Sequence, residues 1–149
     1  MKTFSLNPST VSALHVTRSL GASPDKVFKA WTQPKLLAKW WAPDGFKLKG
    51  IALEAKVNGE LRFDYVNGLG EPSAVHGAFQ SFSPEMLVFT WAREGKKQDI
   101  GGTLVTVEFR RGLKGTELAL THELLPDNAA RDAHRTEWLA RLERLSKLL

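Results

Sequence analysis

An α+β fold built on one curved antiparallel sheet is what this sequence predicts, and three observations carry the prediction. Apolar residues between 46 and 122 recur at every second position, in runs broken by turn residues such as Asn58-Gly59 and Ser83-Pro84-Glu85. Helical signals fall in a short stretch after the first strand and again at residues 129–149. Hairpin-linked strands with segregated helices define an antiparallel sheet, not a doubly wound parallel one. About seven such strands twist enough to curl, and one long helix on the concave face covers only part of it.

Taken in order, residues 1–9 read as a flexible tail and 10–149 as a single domain. Leu14, Val16 and Leu20 alternate with His15 and Thr17, giving a first strand over 10–20. Ser23-Pro24-Asp25 opens a helix, with serine as N-cap, proline at the first helical position and an acid in the first turn. It carries Val27, Phe28 and Trp31, and Pro34 starts a second short helix bearing Leu36, Leu37, Trp40 and Trp41, ended by Pro43 and Gly45. Strands follow at 46–55, around Leu61, Phe63 and Tyr65, at 73–82, and around Leu87, Phe89 and Trp91. Residues 94–102 read as a charged, mobile loop. Val105, Val107 and Phe109 mark the next strand, and Thr116, Leu118, Leu120 and His122 share one face of the last.

Pro126-Asp127-Asn128 ends that strand and caps the final helix. At about 100° per residue, His134, Trp138, Leu142, Leu145 and Leu149 form an apolar stripe, which Leu139 and Leu148 widen. Arg141 falls near the stripe's edge and Arg131 projects onto it in the first turn. Either could guard a pocket entrance and meet an anionic head group; the plainer expectation is that both pack their stems and keep their heads in water.

The totals exclude several classes of function. The sequence contains no cysteine, which removes disulfides, thiol catalysis and thiolate metal sites and fits a cytoplasmic protein. No apolar run approaches the roughly 18 residues of a membrane span, and the first ten residues lack a secretory pattern. The net charge of +5 comes from scattered basic residues, so no nucleic-acid partner is expected. There is no nucleophile elbow, phosphate loop, dinucleotide fingerprint or paired-carboxylate motif. Catalytic residues, cofactors and metal ligands are therefore all expected to be none.

The order of motifs is similar to one family. Trp31-Thr32-Gln33-Pro34, then Trp40-Trp41-Ala42-Pro43, Gly77 with Phe79, Phe89-Thr90-Trp91, Thr116-x-Leu118-x-Leu120-x-His122, and His134 with Trp138 and Leu142 follow one another along nearly the whole chain. This pattern resembles the START-like (helix-grip, SRPBCC) superfamily, in the branch of homologues of the activator of the heat-shock-protein-90 ATPase. The resemblance implies a curved sheet gripping a long C-terminal helix, with an internal pocket for a small hydrophobic or amphipathic molecule. It also implies two alternatives: a chaperone-associated module partnered by a heat-shock ATPase, and a cyclase- or dehydratase-like enzyme using the same pocket.

The expected pocket lining is Phe63, Tyr65, Phe79, Phe89, Trp91, Leu120, His122, His134 and Trp138, with Trp40 or Trp41 near the mouth. Trp40 and Trp41 are consecutive, so one is expected in the core and the other exposed or at the mouth. His122 and His134 could orient a ligand or exchange protons near neutral pH. The plainer alternative is that they are hydrogen-bonded to backbone or water at the cavity rim. Two histidines without a patterned carboxylate make a poor metal site. If Phe63 faces inward so does Tyr65, whose hydroxyl could then meet a polar ligand atom, while Arg62 and Asp64 form a solvated row.

Overall fold

The computed structural model describes residues 12–94 and 100–149. The expected tail over 1–9 lies outside the described residues, as do residues 95–99 of the expected mobile loop. The elements run β1 (Ser12–Leu20), α1 (Pro24–Thr32), α2 (Pro34–Leu37), β2 (Phe46–Leu53), β3 (Glu60–Asn67), β4 (Pro72–Phe82), β5 (Met86–Glu94), β6 (Ile100–Arg111), β7 (Thr116–Leu125) and α3 (Asn128–Leu148). All seven strands join one antiparallel sheet in the order β1-β7-β6-β5-β4-β3-β2. The sheet is thus a hairpin meander closed at one edge by the first strand returning beside the last. The α1–α2 segment carries the chain from that edge to the other, with α1 over β6 and α2 over β2.

Local chemistry sets the helix limits. The Ser23 side chain accepts from the Lys26 amide at the start of α1, and the Asp127 carboxylate accepts from the Ala130 amide at 2.8 Å at the start of α3. α3 spans 21 residues, about 30 Å at 1.5 Å per residue. It runs along β1 and touches β7.

Its buried residues are His134, Trp138, Arg141, Leu142 and Leu145. This is a narrow arc of 3.6-residue period, three of its five residues polar or indole. Leu139 and Leu148 do not widen it: they are exposed, because they fall outside the arc that meets the sheet. Arg141 departs further from expectation. Its head is not in water; the whole side chain is 1 % exposed.

Two other expectations change. The 94–102 segment is not all loop, since β5 continues through Glu94 and β6 begins at Ile100, pairing with Arg93. A register shift between Trp91 and Arg93, with Gly102 at φ 71°, lets the ladder extend this far. Trp40 and Trp41 are both 1 % exposed. The chain leaves helix at Leu37 and turns, with both tryptophan amides donating to the Leu37 carbonyl, so the consecutive rings both turn inward and meet edge to face at 5.2 Å. Trp40 Nε1 donates to the Ala30 carbonyl (3.1 Å) and Trp41 Nε1 to the Tyr65 hydroxyl (2.8 Å).

Strand alternation otherwise holds, with Leu61, Phe63, Tyr65, Leu87, Phe89, Trp91, Val105, Val107, Phe109, Leu118 and Leu120 all buried. Gly77 of β4 explains its place in the motif order. A Cβ there would sit 1.8 Å from the Thr90 carbonyl oxygen of β5, where the Thr90 hydroxyl also accepts the Ala78 amide. Gly77→Ala therefore forces the two strands apart and should lower stability by about 2–3 kcal/mol in urea denaturation. Gly68→Ala, with open space around it, should stay within about 0.5 kcal/mol; equal costs at the two sites would contradict the packing described.

Candidate functional site

Between α3 and β5 the space is filled by aromatic side chains. Trp91 lies 5.2 Å from Trp138, 5.5 Å from His122, 6.0 Å from Trp41 and 6.4 Å from His134 between ring centroids. Trp41 stacks on Phe63 at 4.4 Å. The void bordered by Trp41, Phe63, Phe79 and Phe89 holds about 10 Å³, at the lower limit for one water molecule. Trp40 and Leu120 are packed in the same core. These residues, expected to line a pocket, fill the interior instead.

The two histidines join this packing. Trp138 Nε1 donates to His122 Nδ1 at 3.1 Å, so His122 carries its proton on Nε2 and donates to Thr103 Oγ1 at 3.0 Å. That hydroxyl donates onward to the Trp91 carbonyl at 2.7 Å. Every polar atom of His122 is committed, and the chain ties α3 to β5, β6 and β7. His134 donates from Nδ1 to the Ala130 carbonyl at 2.8 Å, and among the described residues its Nε2 has no hydrogen-bond partner. Burial pushes the His122 imidazole down to about 3, with His134 and Arg141 adding repulsion; burial likewise lowers His134, against the pull of the Ala130 carbonyl. Neutral imidazoles packed this way are hydrogen-bonded structural groups. Among the described residues no three histidine, aspartate or glutamate side chains gather as metal ligands.

The open space lies beside this interior, at the end of the β3–β4 hairpin. A cleft of about 440 Å³ is lined by Pro43, Phe46, Tyr65, Asn67, Glu71, Pro72, Ser73, Ala74, Val75, Arg93, Glu94, Glu137 and Arg141. Tyr65 is the one member of the expected lining that reaches it. Its outer wall is held by Asn67, whose side-chain oxygen accepts the Leu69 and Glu71 amides (2.9 Å each) while Nδ2 donates to Glu71 Oε1. Phe46, half exposed, stands over Tyr65 at 6.1 Å. Glu94 is engaged by Arg62 Nη1 (3.1 Å) and His76 Nε2 (2.9 Å) on the far side, so Arg62 and Asp64 are indeed a partly solvated row.

Arg141 forms the floor. Nε donates to the Trp41 carbonyl at 2.8 Å, and the guanidinium carbon lies 4.9 Å from Trp138, 5.1 Å from Trp41 and 5.5 Å from Trp91. Nη1 approaches Glu137 Oε1 at only 3.7 Å and among the described residues has no hydrogen bond. Such an unmet buried donor costs about 1–3 kcal/mol. Burial lowers the Arg141 pKa while Tyr65 and Glu137 raise it; burial raises that of Tyr65, against the field of Arg141. Arg131, by contrast, stays at the surface paired with Asp132.

Sequence reasoning missed Arg93 and Glu137. A signal for Arg93 was present, since the parity that turns Leu87, Phe89 and Trp91 inward continues to it. A second depression, about 730 Å³ between the turns at 19–21 and 111–117, contains no buried unpartnered polar atom.

A curved antiparallel sheet gripping a C-terminal helix is the START-like, helix-grip architecture. The model of the family described as activator of Hsp90 ATPase homolog 1-like protein matches residues 21–149, and the chain belongs to that family. Among solved structures, a protein of Chromobacterium violaceum is similar at 26% identity and TM-score 0.82, over 95% of this chain and 97% of that one. A protein of Rhizobium loti gives 24% identity and TM-score 0.79, over 96% and 100%. The AHSA1 protein of Silicibacter pomeroyi gives 23% and 0.81, over 91% and 96%. No curated protein sequence matches the chain. No helix among the described residues is long and apolar enough to cross a membrane.

The two buried neutral histidines make stability depend on pH. Their folded-state values lie below the unfolded value near 6.5, so between roughly pH 6 and 5 the unfolded chain takes up protons that the folded chain refuses. Their contribution is fully present above about pH 6.5 and is lost as pH falls, by up to about 1.4 kcal/mol per pH unit for His122, with His134 adding in the same direction. Urea titrations at pH 7, 6 and 5 should show this decline, and His134→Asn, which keeps a donor for the Ala130 carbonyl, should make it shallower. A pH-independent unfolding free energy over this range would contradict the assignment.

Proposed function

We propose that this domain binds a small hydrophobic or amphipathic molecule, and that the molecule sits in the cleft between the β3–β4 hairpin and α3. The observation that carries the reading is a buried cation with an uncommitted donor at the floor of a cleft that combines apolar walls with a charged and polar rim. About 440 Å³ lies within the usual size of small-molecule sites. Pro43, Phe46, Pro72, Ala74 and Val75 offer apolar contact, and Tyr65 and Arg141 offer a few convergent polar atoms. In this reading Trp41, Trp91 and Trp138 form the rigid wall behind the ligand, and Phe63, Phe79, Phe89, Leu120, His122 and His134 hold that wall in place. A preformed wall reduces the ordering that binding would otherwise require.

The reading is tested by filling the cleft. Ser73 of β4 lies on its lining opposite Tyr65 and is only partly buried. Ser73→Trp should leave the unfolding midpoint nearly unchanged while weakening the uptake of a neutral apolar fluorophore such as N-phenyl-1-naphthylamine at least about tenfold. Undiminished uptake by the filled variant, or no uptake by the parent, would overturn it.

A further inference from the structure

Resting on that reading, we infer that the molecule taken by the cleft carries a carboxylate, which replaces the side chain of Glu137 between Arg93 and Arg141. Two arginines from different elements converge on this one carboxylate. Arg93 Nη2 from β5 reaches both its oxygens, at 3.2 and 3.3 Å, and Arg141 Nη1 from the same helix approaches at 3.7 Å. The chain's own carboxylate thus marks the chemistry that the pair accepts. It fits one partner only: close to Arg93 and too far from Arg141 for a hydrogen bond.

The mismatch is geometric. Glu137 and Arg141 lie one turn apart on α3, the guanidinium is held by the Trp41 carbonyl and three indole rings, and Glu137 is drawn to Arg93, so Arg141 does not shift to close the gap. A carboxylate entering from the cleft has no such tether. It can take the free Nη1 donor and Arg93 together, and the charge-assisted bonds so formed are among the stronger ones. The Tyr65 hydroxyl, already receiving the Trp41 N–H, retains its own proton as a third donor. Glu137 has somewhere to go, because its side chain is already 27% exposed. Glu94, the neighbouring carboxylate, is occupied by Arg62 and His76 and need not repel the newcomer. The apolar remainder of the ligand would then lie along Phe46, Pro72 and Val75.

The test compares decanoate with decan-1-ol, which share a chain and differ in the head group, by titrating the tryptophan fluorescence of the full chain at pH 7.4. The parent should prefer the acid at least about tenfold. Arg93→Gln, at a side chain 30% exposed, should collapse that preference toward unity, and Glu137→Gln, which removes the internal competitor, should widen it about tenfold. Thermal unfolding of both variants confirms that they are folded. If acid and alcohol bind alike and neither substitution alters the ratio, the carboxylate assignment falls while the cleft remains a binding site. A preference that Glu137→Gln reduces would overturn the displacement. If neither probe binds the parent, the binding reading itself falls and this inference with it.

Discussion

The structure turns on one buried guanidinium. Arg141 comes from the middle of α3, ends among Trp41, Trp91 and Trp138, and donates to the Trp41 carbonyl. One turn on, Arg144 donates to the carbonyls of Trp40 and Ala42 at 3.0 and 2.7 Å. Three successive carbonyls of the turn after α2 are therefore satisfied by two arginines of the last helix. Taking a cation out of water costs several kcal/mol even after relaxation. A charge-assisted bond and three ring faces, each worth about 0.5–2 kcal/mol, offset part of that, and the uncommitted Nη1 donor leaves the balance incomplete. A helix anchored in this way docks at one position, because sliding it would strand the charge.

The same anchor decides where open volume can lie. In a helix-grip fold the concave face of the sheet is wider than one helix, and something must occupy the uncovered part. Here five tryptophans are available, and all five, Trp31, Trp40, Trp41, Trp91 and Trp138, meet ring to ring beneath the helices. Among the described residues they leave a void of only about 10 Å³ beside Trp41, Phe63, Phe79 and Phe89, and the cleft lies at the rim, beside the β3–β4 hairpin. Family membership establishes the architecture; function is argued from the site, here the charged groups at this rim.

Much of this was legible in the chain. The meander, its register faces and the caps at Ser23 and Asp127 follow from local rules, because alternation and capping act over a few residues. His134, Trp138, Leu142 and Leu145 were correctly placed inward by helical period. What local rules could not reach was set by long-range contact. Arg141 was expected in water because arginine heads usually are, and its burial depends on carbonyls a hundred residues earlier in sequence. Trp40 and Trp41 were expected to divide between core and surface, which holds for a helix or strand but not for the turn they occupy. The position of the cleft follows from the sum of ring volumes, a quantity that no motif states.

The most direct measurement is the Arg141 Nε–H resonance in a nitrogen-15 NMR spectrum, assigned by its loss in Arg141→Lys. The account predicts one side-chain signal shifted by the surrounding ring currents, slow to exchange with water at neutral pH, and displaced when decanoate is added. A signal at the ordinary exposed-arginine position that exchanges rapidly would show that the guanidinium is solvated, and would contradict both the anchor and the cleft built on it.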